Sequence, residues 1–215
     1  LIKFRTRTYI GHSRKTMFFG SERIPSITCP ICRSHEPDTW LHVLLTCQQQ
    51  HIHSLRVKRH NKAVWEIRKL LISSEKSRCF ILMNAGTFND KPPENTVPNW
   101  LLPCTCGTQR CHCNSRFRPD ILCVKGLSYQ SEPPSEINPN LTIQFIEFTY
   151  CNDRFSPETL QAKTNKYNLL IASITALGWK VDPLIVITAG ARATRHILSM
   201  KSLEEKFQIP MPTIK

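Results

Sequence analysis

Acidic residues are scarce in this chain: 16 Asp and Glu stand against 29 Lys and Arg among 215 residues. The resulting net charge of +13 and pI of about 9.5 point to a polyanionic partner. Nucleic acid is the usual one, and an acidic membrane surface is the competitor. Long hydrophobic runs are missing too. None reaches the roughly 20 residues of a spanning helix, and no basic, Leu/Trp-faced helix stands out as an interfacial anchor. The opening residues, Leu1-Ile2-Lys3-Phe4-Arg5-Thr6-Arg7, are charged and interrupted and do not read as a secretory signal. The ten cysteines are therefore expected in a reducing compartment and on metal rather than in a disulfide framework. No internal repeat is present. What the chain does have is 40% hydrophobic residues, enough for a packed core. Its length suits one full domain with a small appendage.

The expected organisation is a basic lead-in and Cys/His unit over residues 1–50, then an α/β domain over 51–215 interrupted at about 84–118. Residues 1–23 carry six Lys/Arg and a single acid, Glu22. Residues 52–73 repeat apolar side chains at helical spacing: Leu55, Val64, Ile67, Leu70 and Leu71. Cys79–Met83 is a short apolar run of strand type. Pro92, Pro93, Pro98 and Pro103 mark the irregular insertion. Strands are expected at Ile121–Val124, Leu141–Tyr150 and Leu184–Thr188. A helix over Pro157–Leu177 has Ser156 as N-cap, Pro157 at its first position and Gly178 beyond its end. A second helix is expected over Ala191–Phe207. The order helix–strand–strand–strand–helix–strand–helix gives an α/β core with a mixed sheet.

Seven of the cysteines fall in two tight groups. The first is Cys29-x2-Cys32-x9-His42-x4-Cys47. Two cysteines on a turn and a His/Cys pair on the next element can close a tetrahedron around zinc, in a structural role. His35 has the poorer spacing. The second group, Cys104-x-Cys106-x4-Cys111-x-Cys113, could take a second zinc, or be a disulfide-prone loop or loose thiols.

Hydrolysis of a phosphodiester needs an activated water and neutralised charge at phosphorus. Carboxylates holding magnesium or manganese supply much of this. Asp120 opens a strand after Pro119. Glu147 interrupts the apolar strand Ile143-Gln144-Phe145-Ile146-Glu147-Phe148, facing either solvent or a metal. Lys163 and Lys166 share a face of the next helix, with Tyr167 nearby as a supporting group. Either lysine could steady the nucleophile or the charged phosphorane. Glu66, the sole acid in residues 51–72, is either a third carboxylate for that metal or a partner of Lys62 or Lys69. Arg56, Lys58, Arg59, His60 and Lys62 form a cluster suited to phosphates, with Asn61 able to bond a base or backbone. Arg192 and Arg195 open a helix and could bind an anion. Solvated surface charge is the alternative for both groups.

Together these residues resemble the C-terminal part of non-LTR retrotransposon polyproteins that carry a restriction-like endonuclease. In that family a CCHC zinc knuckle follows the reverse transcriptase. An Arg-His-Asn/Asp element comes next, and then a nuclease of the PD-(D/E)xK superfamily. The knuckle looks like Cys29, Cys32, His42 and Cys47, and the next element like Arg59-His60-Asn61. The nuclease signature looks like Pro119-Asp120, Glu147 and then Lys163-Thr164-Asn165-Lys166-Tyr167, with Thr149 where the superfamily's usual lysine stands. The likeness spans roughly residues 1–200. The long Asp120–Glu147 interval and the cysteines at 104–113 depart from the common pattern. The resemblance implies a restriction-endonuclease-like core behind a zinc knuckle. It implies nicking of target DNA to prime reverse transcription, in the nucleus, with element RNA and the reverse-transcriptase region of a longer polyprotein as partners. A non-catalytic, zinc-dependent nucleic-acid-binding remnant is the alternative it leaves open, and a zinc-stabilised protein-interaction domain is a third reading. The chain begins at Leu1, which fits a piece of a polyprotein or a trimmed chain equally well.

Overall fold

A computed structural model describes residues 29, 31–33, 39, 41–74, 79–83, 97–103, 117–128, 131, 132, 134–151, 157–191 and 197–209. The basic lead-in, the second cysteine group (Cys104, Cys106, Cys111, Cys113), Ser156, Arg192 and Arg195 lie outside the described residues. The architecture is α/β, with a mixed open sheet flanked by helices.

A π-helical turn, His42–Thr46, leads into α1, Gln50–Ser73. The Gln49 side chain caps α1 by accepting the Ile52 N–H at 3.1 Å. Strand β1 (Cys79–Met83) pairs antiparallel with β2 (Ile121–Lys125), and β2 pairs antiparallel with the long central β3 (Thr142–Cys151). Helix α2, Pro157–Ala176, then crosses back so that the next strands run parallel to β3. These are the short β4 (Lys180–Val181), which the sequence pattern did not foretell, and β5 (Ile185–Gly190). They lie along the same edge of β3, interrupted at Pro183, which has no N–H for the ladder. Helix α3, Ile197–Phe207, follows.

Strand alternation explains why β3 is apolar on both sides. On one face Ile143 and Phe145 pack with Tyr167, Leu170 and Ile174 of α2, and with Trp179. On the other, Ile146 and Phe148 meet Val64, Ile67 and Leu71 of α1, and Leu203 and Phe207 of α3. Each fully buried Leu, Ile or Phe contributes roughly 1.5–3 kcal/mol, so two such faces suffice to hold a sheet of short strands. Helix α2 stops where Gly178 takes φ +99°, a conformation that favours glycine. There the Gly178 and Trp179 N–H groups return to Thr175 O (2.9 Å) and Ile174 O (3.4 Å), and Trp179 is buried against the core. Val97, Leu101 and Phe117 dock the flanks of the insertion on the α2 face. Among the described residues no helix is long and apolar enough to cross a membrane.

Candidate functional site

The four Cys/His side chains of the first group converge. The Sγ atoms of Cys29, Cys32 and Cys47 and a ring nitrogen of His42 all lie within 4.8 Å of one another, with Cys32 Sγ 3.2 Å from His42 Nε2. Zinc bond lengths imply tetrahedral edges of about 3.6–3.8 Å, so the set could hold a structural zinc ion with little movement. The π-helical turn makes this fit. Its i→i+5 bond, Cys47 N–H to His42 O at 2.7 Å, stacks residues five apart, whereas an ordinary α-turn would swing them to different faces. Thr46 Oγ1 lies 3.0 Å from His42 Nδ1 and itself donates to the His42 carbonyl, which leaves Nε2 as the free lone pair. On the cysteine side, the Arg33 N–H closes the turn onto Cys29 O (2.9 Å) with φ +54°. Burial pushes the Cys47 thiol above its ordinary value, and neighbouring Cys32 and Cys29 add to this against the Gln49 amide. A thiol held neutral in this way is one that a bound cation would ionise.

The second cluster is built on the β2–β3 ladder. The register pairs Ile121 with Ile146. Continued by one residue, it sets Asp120 opposite Glu147, which closes the long interval between them. Glu147 shares the α2 face with Ile143 and Phe145 and is only 3% exposed. It is held by Lys163 Nζ on Oε1 (2.5 Å), and on Oε2 by the Tyr167 hydroxyl (3.0 Å) and the Asp120 N–H (3.3 Å). The Tyr167 hydroxyl also lies 2.8 Å from the Arg118 carbonyl, so its one hydrogen is shared between the two acceptors, and Lys166 Nζ approaches the Tyr167 oxygen at 3.1 Å. The two lysines are thus separated in role: Lys163 reaches the acid, and Lys166 rests on Tyr167. Thr149 is half-buried, and its hydroxyl donates to its neighbour's carbonyl.

Asp120 is arranged from the opposite face. Its Oδ2 accepts the Phe148 N–H at 2.7 Å and lies 3.3 Å from His60 Nε2. His60 Nε2 also lies 3.0 Å from the Phe148 carbonyl. Proline has no N–H, and the β2–β3 pairing ends at Ile121 and Ile146, where the Asp120 side chain takes the Phe148 N–H. On α1, His60 and Arg59 turn inward: Arg59 donates to Leu44 O and Ala191 O and stacks on Tyr150. Asn61 approaches His60 Nδ1 at 3.4 Å. Glu66 is exposed and pairs with Lys69 at 3.1 Å, three residues along its own helix, as the plainer of its two readings had it. Lys58 and Lys62 remain exposed, while Arg56 is half-buried beside His53. Nothing in the sequence marked His60 for this place, because α1 is polar on most of its surface and its one apolar stripe leaves the position of a histidine open.

No protein-family model and no curated protein matches this chain. Its functional reading rests on the geometry.

Electrostatics sharpen that geometry. A buried carboxylate costs several kcal/mol unless it is well paired. At Glu147 burial wins: it raises the pKa, the Asp120 charge adds to this, and Lys163 and Lys166 only partly offset it. Tyr167 is pushed far up by burial and by the Glu147 charge, so it acts as a donor and never as a base. Burial alone would lower His60, but the Asp120 bond and charge outweigh it and raise the imidazole. Among the described residues only the Cys/His quartet gathers three or more candidate ligands. A divalent ion at the acidic cluster would have two side-chain ligands, backbone carbonyls and water, a set that suits magnesium.

A pH prediction follows. In metal-free protein the Glu147 carboxyl titrates above the ordinary glutamate range. Its folded pKa is raised, so its contribution to stability is full below the unfolded pKa and is lost as pH rises through the folded one. Asp120→Asn lowers that midpoint by removing the like charge. Carboxyl NMR titration reads both, and an unmoved midpoint in the variant would refute the coupling.

Proposed function

We propose that this chain is a divalent-metal-dependent DNA endonuclease with a restriction-endonuclease-like core, nicking target DNA on behalf of a retroelement. The observation that carries the reading is the buried Glu147 carboxylate, bonded at once by the Asp120 N–H from the adjoining strand and by the Lys163 amine from the following helix. A bound magnesium or manganese ion would supply Lewis-acid activation of water and neutralise phosphate charge. Asp120 and Glu147 would hold it. Lys163 is the fixed cation beside the reacting phosphate, able to stabilise the attacking hydroxide or the charged phosphorane. Tyr167 and the Asp120 N–H orient Glu147, while the Phe148 N–H and His60 orient Asp120. Exposed Lys58 and Lys62, one turn apart on α1, are the phosphate contacts of the docking surface, and the Cys29/Cys32/His42/Cys47 unit with structural zinc braces its start. The retroelement context, with priming of reverse transcription in the nucleus, element RNA and a reverse-transcriptase partner, is supported by the order of the motifs along the chain.

The two lysines separate in a nicking assay on supercoiled plasmid with magnesium. Lys163→Met is expected to lose about a hundredfold or more, the scale for removing one preorganised charge donor. Lys166→Met, one bond further from the acid, should lose much less. The reverse ranking would reassign the amine. One observation favours a second reading, a non-catalytic nucleic-acid-binding module: every oxygen that Glu147 presents is already bonded within the protein. Folded, zinc-loaded wild-type protein that binds DNA with steep salt dependence but never nicks would select it.

A further inference from the structure

Arg59 ties together three parts of the molecule. Its Nη2 donates to Leu44 O at 3.1 Å, inside the π-helical turn between the ligand candidates His42 and Cys47. Its Nη1 donates to Ala191 O at 2.9 Å, just beyond β5. Its guanidinium plane lies 3.9 Å over the Tyr150 ring on β3. This is a forked side chain used at full reach, and a lysine could not reproduce it. The next residue on the helix, His60, touches Asp120 Oδ2 and the Phe148 carbonyl. Two neighbouring residues of α1 therefore connect the Cys/His turn to the acid.

The turn is the sensitive end. A π-helical turn is a rare geometry, and among the described residues this one encloses a miniature core of Cys29, Val43 and Cys47. The carbonyl that Arg59 grips is placed by the same wide turn that stacks His42 on Cys47. An ion drawing those two together would reinforce the wide turn beyond the Cys47 N–H bond to His42 O and the Thr46 contacts with His42, whereas an α-turn would carry the Leu44 carbonyl away from Arg59. Helix α1 would then lose one of the ties that hold His60 against Asp120.

We infer that Arg59 and His60 are positioning residues that couple ion occupancy of the Cys/His site to divalent-ion affinity at Asp120 and Glu147. Linkage makes the coupling reciprocal, and couplings of this kind are typically worth roughly 5–150-fold. The inference rests on the proposed function for the identity of the second site, and the test separates the two. Manganese is the probe, because it is paramagnetic and prefers carboxylates to thiolates. Its affinity for zinc-loaded full chain is measured by electron paramagnetic resonance, with Asp120→Asn marking the specific site and elemental analysis giving the zinc content. Arg59→Gln is expected to keep its zinc yet bind manganese about tenfold more weakly. His60→Gln should weaken it too, and the double variant should lose no more than the worse single. Should Arg59→Gln fail to fold, the comparison passes to zinc depletion: wild-type affinity must fall about tenfold and His60→Gln affinity far less. An unchanged affinity in folded, zinc-bearing Arg59→Gln, or equal losses on depletion, overturns the coupling and leaves the nuclease reading standing. Manganese binding that ignores Asp120→Asn overturns the nuclease reading and the coupling together.

Discussion

Plasmid nicking by the Asp120→Asn protein is expected to fall about a thousandfold, the equivalent of several kcal/mol of lost charge stabilisation at the reacting phosphate. The substitution is chosen because it is structurally mild. Asn keeps an oxygen for the Phe148 N–H, which Asp120 Oδ2 accepts at 2.7 Å. It also relieves the like charge that raises Glu147, so thermal stability should hold or rise slightly. DNA affinity should stay close to wild type, since neither Lys58 nor Lys62 is touched. Three measurements belong together: nicking rate, melting midpoint and salt-dependent DNA binding. Loss of the first with the other two intact is the signature of a metal-holding acid. Full nicking by the variant would remove Asp120, and with it the proposed chemistry. Loss of all three would mean only that the ladder end beside Pro119 had collapsed, and Glu147→Gln, with its two oxygen-side partners kept, then becomes the deciding variant.

Substitution of Cys47 by Ser is expected to remove one zinc equivalent per chain and to unfold the unit it belongs to. Cys47 and Cys29 are both wholly buried, and among the described residues Val43 is the one further buried member of the cluster around them. A core of that size cannot hold a chain segment against its conformational entropy. Structural zinc in units of this size is worth on the order of 10 kcal/mol, far more than three small side chains contribute. Elemental analysis gives the lost equivalent, and limited proteolysis near residues 41–49 reads the unfolding. The α/β core should survive, because its two packed faces draw on α1, α2 and α3 and on the sheet. An unchanged zinc content in the folded variant would exclude Cys47 as a ligand.

Much of this arrangement is legible along the chain, for identifiable reasons. Helices α1 and α2 follow from apolar spacing, and the end of α2 from Gly178. Strands β2, β3 and β5 follow from short apolar runs between breakers. The Cys/His spacing foretells a cluster because covalent reach alone brings Cys29 to Cys32 and His42 to Cys47. The pairing of Asp120 with Glu147 is harder, since 26 residues intervene, yet each acid is placed by its position on a strand and the register does the rest. The two-residue β4 carries no pattern of its own and exists because β3 offers it an edge.

Chain order and side-chain type by themselves determined the main helices and strands apart from β4, and the metal-like quartet, because these depend on spacing within one segment. Tertiary packing decided the rest. It chose Lys163 over Lys166 for Glu147, since helical periodicity gives both lysines a similar bearing and only the lie of α2 across β3 distinguishes them. It turned Arg59 and His60 inward, left Glu66 to Lys69, and buried Glu147 on a face shared with phenylalanine and isoleucine. Those outcomes depend on contacts between elements far apart in sequence. There, the energies of burial and pairing outweigh any local preference.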